Sequence, residues 1–220
     1  MARRRINIER FIESLRKSST SWNPPVVTLV AARGATPFEI LVSTVLSART
    51  KDEVTAAAAA RLFKVARTPE ALVLLGERTL ERLIYPVGFY PTKAKHIKRL
   101  SRVLLDHYGG LVPRSLEQLL TLPGVGRKTA NLVLIEAFGK PAVCVDTHVH
   151  RISNRIGYVS TKTPEQTEQV LREKLPRKHW IHYNELLVAF GQEICKPLSP
   201  VCSVCPVFAA CPRKGVTRSR

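Results

Sequence analysis

Four cysteines near the end of this sequence, Cys195-x6-Cys202-x2-Cys205-x5-Cys211, have the spacing of a ligand set. Four thiolates in one short, proline-interrupted stretch can converge on one centre. An all-cysteine set of four is what both structural zinc and iron–sulfur clusters use. Zinc sites usually pair their ligands as two close CxxC knuckles, and only Cys202 and Cys205 are that close here, so the spacing leans toward a [4Fe–4S] cluster with zinc as the rival. A disulfide framework does not suit five cysteines in a chain of 220 residues, and the set reads as metal ligands in a reducing compartment. The fifth, Cys144, lies in an apolar run and reads as a core residue.

A second group is Leu122-Pro123-Gly124-Val125-Gly126-Arg127-Lys128, followed by an apolar helical pattern to Gly139 and, soon after, by Asp146. The amphipathic segment 115–122 before it makes the whole a helix, a hairpin and a helix. Pro123-Gly124 is a turn dipeptide, and Gly126 leaves the start of the second helix without a side chain, so backbone N–H groups around Gly124, Val125, Gly126 and Arg127 can closely approach a bound group. The natural guest is an anion. A helix N-terminus offers unpaired donors and partial positive charge, and Arg127 and Lys128 add formal charge that suits a phosphodiester. The same turn can also serve as a plain connector between helices.

The elements that must position these groups are helical throughout. Ile8, Phe11, Ile12 and Leu15 recur at helical spacing; Pro37 opens an apolar helix through Leu46, and Asp52 heads an alanine-rich one through Phe63. Thr68-Pro69-Glu70 and Thr163-Pro164-Glu165-Gln166 are N-cap signals, the second with the pattern of a capping box. Further helices are expected over 80–84, 92–107, 147–156, 165–175 and 178–194, while the apolar run 26–32 is ambiguous. No period-two strand and no solenoid-length repeat is visible, and the fold class is all-α. The formal charge of +18, from 35 Lys and Arg against 17 Asp and Glu, makes nucleic acid the leading partner. No long apolar run suggests a membrane span, and no apolar stretch follows the basic start MARRRINIERF to suggest a secretory signal.

LPGVGRKTAN, then VDTHVHRISNRIG, then the four-cysteine loop, in that order, resemble the endonuclease III family of base-excision DNA glycosylases, within the helix-hairpin-helix glycosylase superfamily. The resemblance implies two helical domains flanking a DNA-binding cleft. One is a six-helix domain with the hairpin, residues 30–140; the other joins residues 1–29 to 141–220 and holds a [4Fe–4S] cluster on Cys195, Cys202, Cys205 and Cys211. It implies that Lys128 is the catalytic nucleophile, that Asp146 is the catalytic carboxylate, and that the cluster shapes a DNA-contacting loop rather than doing the chemistry. Two loops of the family fill the gap left by a flipped base, and they read here as 46–50 with Arg49 and 87–90 with Phe89. Arg49 is a departure, since the family commonly has glutamine there, and it puts the accepted lesion or opposite base in question.

The residues support this chemistry on their own terms. Lys128 sits in the first turn of its helix beside Arg127, where positive surroundings favour a neutral, nucleophilic amine; a phosphate contact is its other reading. The helix from Arg127 to Phe138 is roughly 18 Å long and the residues 139–145 can span roughly 23 Å, so the chain can return Asp146 to the Lys128 end. Asp146 could activate the amine and stabilise an oxocarbenium-like sugar, and it could equally be the N-cap of the next helix. His148, Lys196, Arg213 and Lys214 could touch phosphates or be solvated surface.

These readings predict a cytoplasmic, nucleoid-associated monomer acting on double-stranded DNA that contains damaged bases or abasic sites. It would excise oxidised pyrimidines and then cleave the abasic site by β-elimination through a lysine Schiff base. The alternatives are a mismatch-type or lyase-dominant glycosylase of the same superfamily, whose mismatch members lack a lysine at the position of Lys128, and a non-catalytic DNA-binding protein.

Overall fold

A computed structural model describes residues 6–220, and among them the regular structure is entirely helical. The first five residues of the basic start MARRRINIERF, on which the reading of no export signal partly rests, lie outside the described residues. The helices are α1 (Ile8–Ser19), α2 (Val26–Ala32), α3 (Pro37–Ser47), α4 (Asp52–Phe63), α5 (Pro69–Leu74) and α6 (Glu77–Ile84). They continue with α7 (Tyr90–Tyr108), α8 (Leu116–Leu120), α9 (Arg127–Phe138), α10 (Thr147–Arg155), α11 (Pro164–Lys174) and α12 (Trp180–Glu193). No helix among the described residues is long and apolar enough to cross a membrane.

The chain divides into two compact units, one of Val26–Ala142 and one joining the segment up to Pro25 with Val143–Arg220. A boundary at 29/30 would cut through α2. That run, ambiguous by periodicity, is a helix that packs on α3, α4 and α9; its Val26 N–H donates to the Asp52 carboxylate (3.2 Å) and its Thr28 hydroxyl to Glu136 (2.7 Å).

In the Val26–Ala142 unit α3 is the centre. All its residues from Phe38 to Leu46 are buried, and it packs on α9, α4, α2 and α7. Its start is fixed by a capping box in which Thr36 accepts from Glu39 N–H (3.3 Å) and the Glu39 carboxylate accepts from Thr36 N–H (2.8 Å). The six helices implied by the resemblance are exceeded: this unit forms eight, because short segments such as α5 and α8 also close, each capped by a hydroxyl, Thr68 or Ser115.

In the other unit α1 and α10 pack on α12, and the apolar faces read from the spacing are the buried ones: Phe11, Ile12 and Leu15 on α1, Val149 and Ile152 on α10. Phe190 of α12 meets Phe11 edge-on with ring centroids 6.4 Å apart. The single helix expected over 178–194 is interrupted at its start: Arg177–His179 forms a 3-10 turn, held by His179 Nε2 against Glu9 (2.9 Å), before α12 begins. Cys144 is buried, as expected of a core residue.

Candidate active site

The hairpin forms between α8 and α9. Leu122 and Val125 are buried and anchor the turn, Val125 N–H donating to Leu122 C=O (3.1 Å). The Val125 side chain thus faces the core and its N–H is spent on the turn, so its part in any anion site is to shape the backbone. Gly124 has φ +80°, and a Cβ there would lie 2.8 Å from the Cβ of His96, so both conformation and space demand glycine. Gly126 differs: its backbone is extended, open space surrounds its missing side chain, and no side chain caps α9 behind it. Arg127 and Lys128 follow in the first turn, both exposed. The result is a twelve-residue helix presenting uncapped N–H donors with two cations at its positive end.

Asp146 is the N-cap of α10. Its Oδ1 accepts the Val149 N–H at 2.8 Å, and its negative charge supports the neighbouring guanidinium of Arg151. The cap reading of Asp146 is therefore a fact of the fold, and it leaves the carboxylate with a fixed orientation at a helix start. His148, in the first turn of the same helix, is half-buried against Gly191 of α12, where a Cβ would overlap its Nδ1. Arg151 donates to that Nδ1 (3.1 Å) and to the Cys195 carbonyl (2.8 Å). The Nδ1 of His148 must accept, since a guanidinium only donates, so the ring is held as a fixed part of α10 rather than as mobile surface.

The four cysteines Cys195, Cys202, Cys205 and Cys211 all line one small, largely apolar cavity with Ile156, Phe190 and Val207. None is in a disulfide. Burial pushes the Cys205 thiol up to about 11 and raises that of Cys211; Cys195, Cys202 and Cys211 add to the rise at Cys205, and Cys195 and Cys202 to that at Cys211. Four crowded thiols in an apolar cavity disfavour one another's thiolates, which is the environment that a bound cationic centre relieves. Arg155 donates to Cys195 Sγ (3.3 Å) and to the carbonyls of Lys196 (2.8 Å) and Pro197 (3.0 Å), fixing the Cys195 thiol and the backbone after it. Among the described residues no three His, Cys, Asp or Glu side chains group as a site for a single metal ion. The fit to a metal group rests on the donor set and the shared cavity.

Arg49 and Phe89 lie on neighbouring loops of the Val26–Ala142 unit. Phe89 is 62% exposed, and the Arg49 guanidinium carbon stands 5.7 Å from the centre of its ring. Sequence reasoning missed Lys93, buried directly beneath these loops. The available signal was its register, since Lys93 falls with Ile97, Leu100 and Leu104 on the core stripe of α7.

Residues 42–177 match the family described as HhH-GPD superfamily base excision DNA repair protein. The chain is 54% identical over 169 residues to endonuclease III of Thermotoga maritima, covering 77% of this chain and 79% of that one. It spans 58% and 57% of two longer Arabidopsis thaliana endonuclease III homologues. Its structure is similar to that of a non-covalent endonuclease III–DNA complex, with TM-score 0.85 and 36% identity over 94% of each chain. It is also similar to a trapped endonuclease III–DNA covalent intermediate, with TM-score 0.80 and 34% identity over 94% of this chain and 97% of that one.

Proposed function

Because the chain belongs to the HhH-GPD superfamily of base excision DNA repair proteins and, within it, to the endonuclease III family of DNA glycosylase/abasic-site lyases, we propose that it excises oxidised pyrimidines from duplex DNA and cleaves the resulting abasic site through Lys128. The observation that carries the assignment to Lys128 is its place: an exposed amine in the first turn of an uncapped helix, two residues after Gly126, which has open space in front of it. There, phosphate oxygens of the DNA backbone can be held by the N–H groups while the amine reaches the sugar.

In this reading the Lys128 amine, neutral when it reacts, forms a bond to C1′ as the C1′–N bond to the base breaks and the base departs with the electron pair. The Asp146 carboxylate takes a proton from the attacking nitrogen and stabilises positive charge on the sugar as it develops. Opening of the sugar ring leaves a Schiff base between Lys128 and C1′. Loss of a proton from C2′ then expels the 3′ phosphate, which is the β-elimination. Cys195, Cys202, Cys205 and Cys211 would hold a [4Fe–4S] cluster. That cluster would order the loop that carries Lys196, Arg213 and Lys214 and take no part in bond making. The test is borohydride trapping on abasic duplex DNA. Wild-type protein should become covalently joined to the strand, whereas Lys128→Ala should bind the same duplex and trap nothing. Robust trapping by the alanine variant would assign the nucleophile elsewhere.

A further inference from the structure

Lysine side chains are almost never fully buried, and an ammonium carries three donors and no acceptor. Lys93 is 7% exposed, on a stripe of α7 that otherwise buries Ala94, Ile97, Leu100, Ser101 and Leu104. All three of its donors are used: Nζ donates to the carbonyls of Leu46 (2.8 Å) and Ala48 (2.5 Å) and to the Thr50 hydroxyl (3.1 Å). The Leu46 carbonyl belongs to the last turn of α3, where a helix leaves its carbonyls unpaired and where positive charge is favoured. Burial pushes the Lys93 ammonium down to about 8, so holding the cation here has a cost.

Two of the three acceptors, the Ala48 carbonyl and the Thr50 hydroxyl, lie on the loop that follows α3, and that loop carries Arg49 with φ +53°. The Thr50 hydroxyl extends the connection to the next loop. It donates to the Ala48 carbonyl (3.3 Å) and accepts the Gly88 N–H (3.2 Å), while a Cβ on Gly88 would lie only 2.6 Å from the Arg49 carbonyl oxygen. Phe89 comes next, with φ +59°. Two non-glycine residues thus stand in left-handed backbone, each against its own preference, on two loops pinned together through one ammonium and one hydroxyl. Their side chains meet in the contact between the Arg49 guanidinium and the Phe89 ring.

We propose that Lys93 is a positioning residue that clamps the Arg49 and Phe89 loops into one two-pronged wedge, set to occupy the gap left when the damaged nucleotide swings out of the duplex. The proposal rests on the reading of Arg49 and Phe89 as the residues that fill that gap. The two side chains touch each other, and the Lys93 and Thr50 hub fixes the loops that carry them, so loss of the hub should let both relax together.

The experiment times single-turnover release of thymine glycol from a duplex and from the same strand unpaired, since only the duplex leaves a gap to fill. Lys93→Met and Thr50→Val should slow release from the duplex, relative to the single strand, by about tenfold, the effect of letting a left-handed residue return to ordinary backbone. Phe89→Ala should do the same, and Thr50→Ser, which keeps the hydroxyl, should retain the wild-type ratio. A 2-aminopurine beside the lesion should show a slower fluorescence rise in the affected variants, because it reports opening of the base stack. A merely structural role predicts instead that both substrates slow together, in step with the folded fraction seen by circular dichroism, and that result would overturn the clamp. If Phe89→Ala loses duplex selectivity while Lys93→Met and Thr50→Val keep it, the clamp is wrong and the wedge stands. If neither Arg49→Ala nor Phe89→Ala changes the ratio, the wedge reading fails and takes the clamp with it. Should Lys93→Met not fold, the pair Thr50→Val and Thr50→Ser decides.

Discussion

Replacing Asp146 separates the cap that the structure shows from the catalytic role proposed for the same carboxylate. As the N-cap of α10, its Oδ1 accepts from Val149 N–H at 2.8 Å, a bond that an asparagine carbonyl oxygen makes about as well. Asp146→Asn therefore loses only the charge at the helix start, worth about 0.3–1 kcal/mol, whereas Asp146→Ala also loses the cap, worth about 1 kcal/mol more. For a chain of this size a loss of 1 kcal/mol lowers the melting temperature by about 2–4 °C, so the asparagine variant should melt about 2 °C below wild type and the alanine variant about 5 °C below. Base excision should respond differently. A carboxylate that takes the proton and faces a developing sugar cation is worth about 10²–10⁴ in rate, and neither amide nor methyl supplies it. Single-turnover release of thymine glycol, well below both melting points, should then fall by about 10²–10⁴ in both variants alike, with binding to abasic duplex nearly unchanged. Full release by the asparagine variant would reduce Asp146 to a cap. Release that declines in proportion to melting temperature, worse for alanine than for asparagine, would show that the loss comes from α10 fraying and not from missing chemistry.

Protein purified without oxygen should be brown and contain about four irons per chain, and Cys202→Ser should lose iron and melting temperature together, because in a loop with so little core metal binding is folding energy. Stoichiometric zinc without iron, measured by elemental analysis, would end the cluster assignment. The two hairpin glycines should behave differently. Gly124→Ala forces a side chain into left-handed backbone and against His96, costing about 1–2 kcal/mol from the backbone alone, while Gly126→Ala, extended and facing open space, should leave the melting temperature within about 1 °C of wild type. Both should weaken binding to abasic duplex by anisotropy, the second by putting a methyl group in front of the N–H donors. Unchanged affinity in Gly126→Ala would mean the DNA backbone does not approach there.

Helices were legible where their own sequence determines them. The buried face of α1, the start of α9 after Pro123-Gly124, and the Thr68 and Thr163 caps follow from periodicity and local hydrogen bonding, which need no knowledge of what lies across the core. Even there the detail can slip: Thr163 caps Gln166 N–H as expected, but the Gln166 side-chain Oε1 accepts from Lys162 N–H rather than closing the box on Thr163. The four cysteines were legible as a candidate metal set because that type at that spacing has few other uses, whereas Lys128 and Asp146 each kept a second reading, a phosphate contact and an N-cap. What stayed hidden are bonds between distant segments. Nothing within the run 26–32 says that Asp52 and Glu136 will stabilise it as a helix, and nothing near His148 says that Gly191 leaves room for its ring. Lys93 is the sharpest case. Its three acceptors lie more than forty positions earlier in the chain, and two of them are carbonyls that every residue owns, so no residue type marks them. A charged residue on an apolar stripe is the trace such a hub leaves in one dimension, because the hydrophobic pattern requires an apolar side chain at that register and the ammonium can be kept there only by acceptors that the fold supplies.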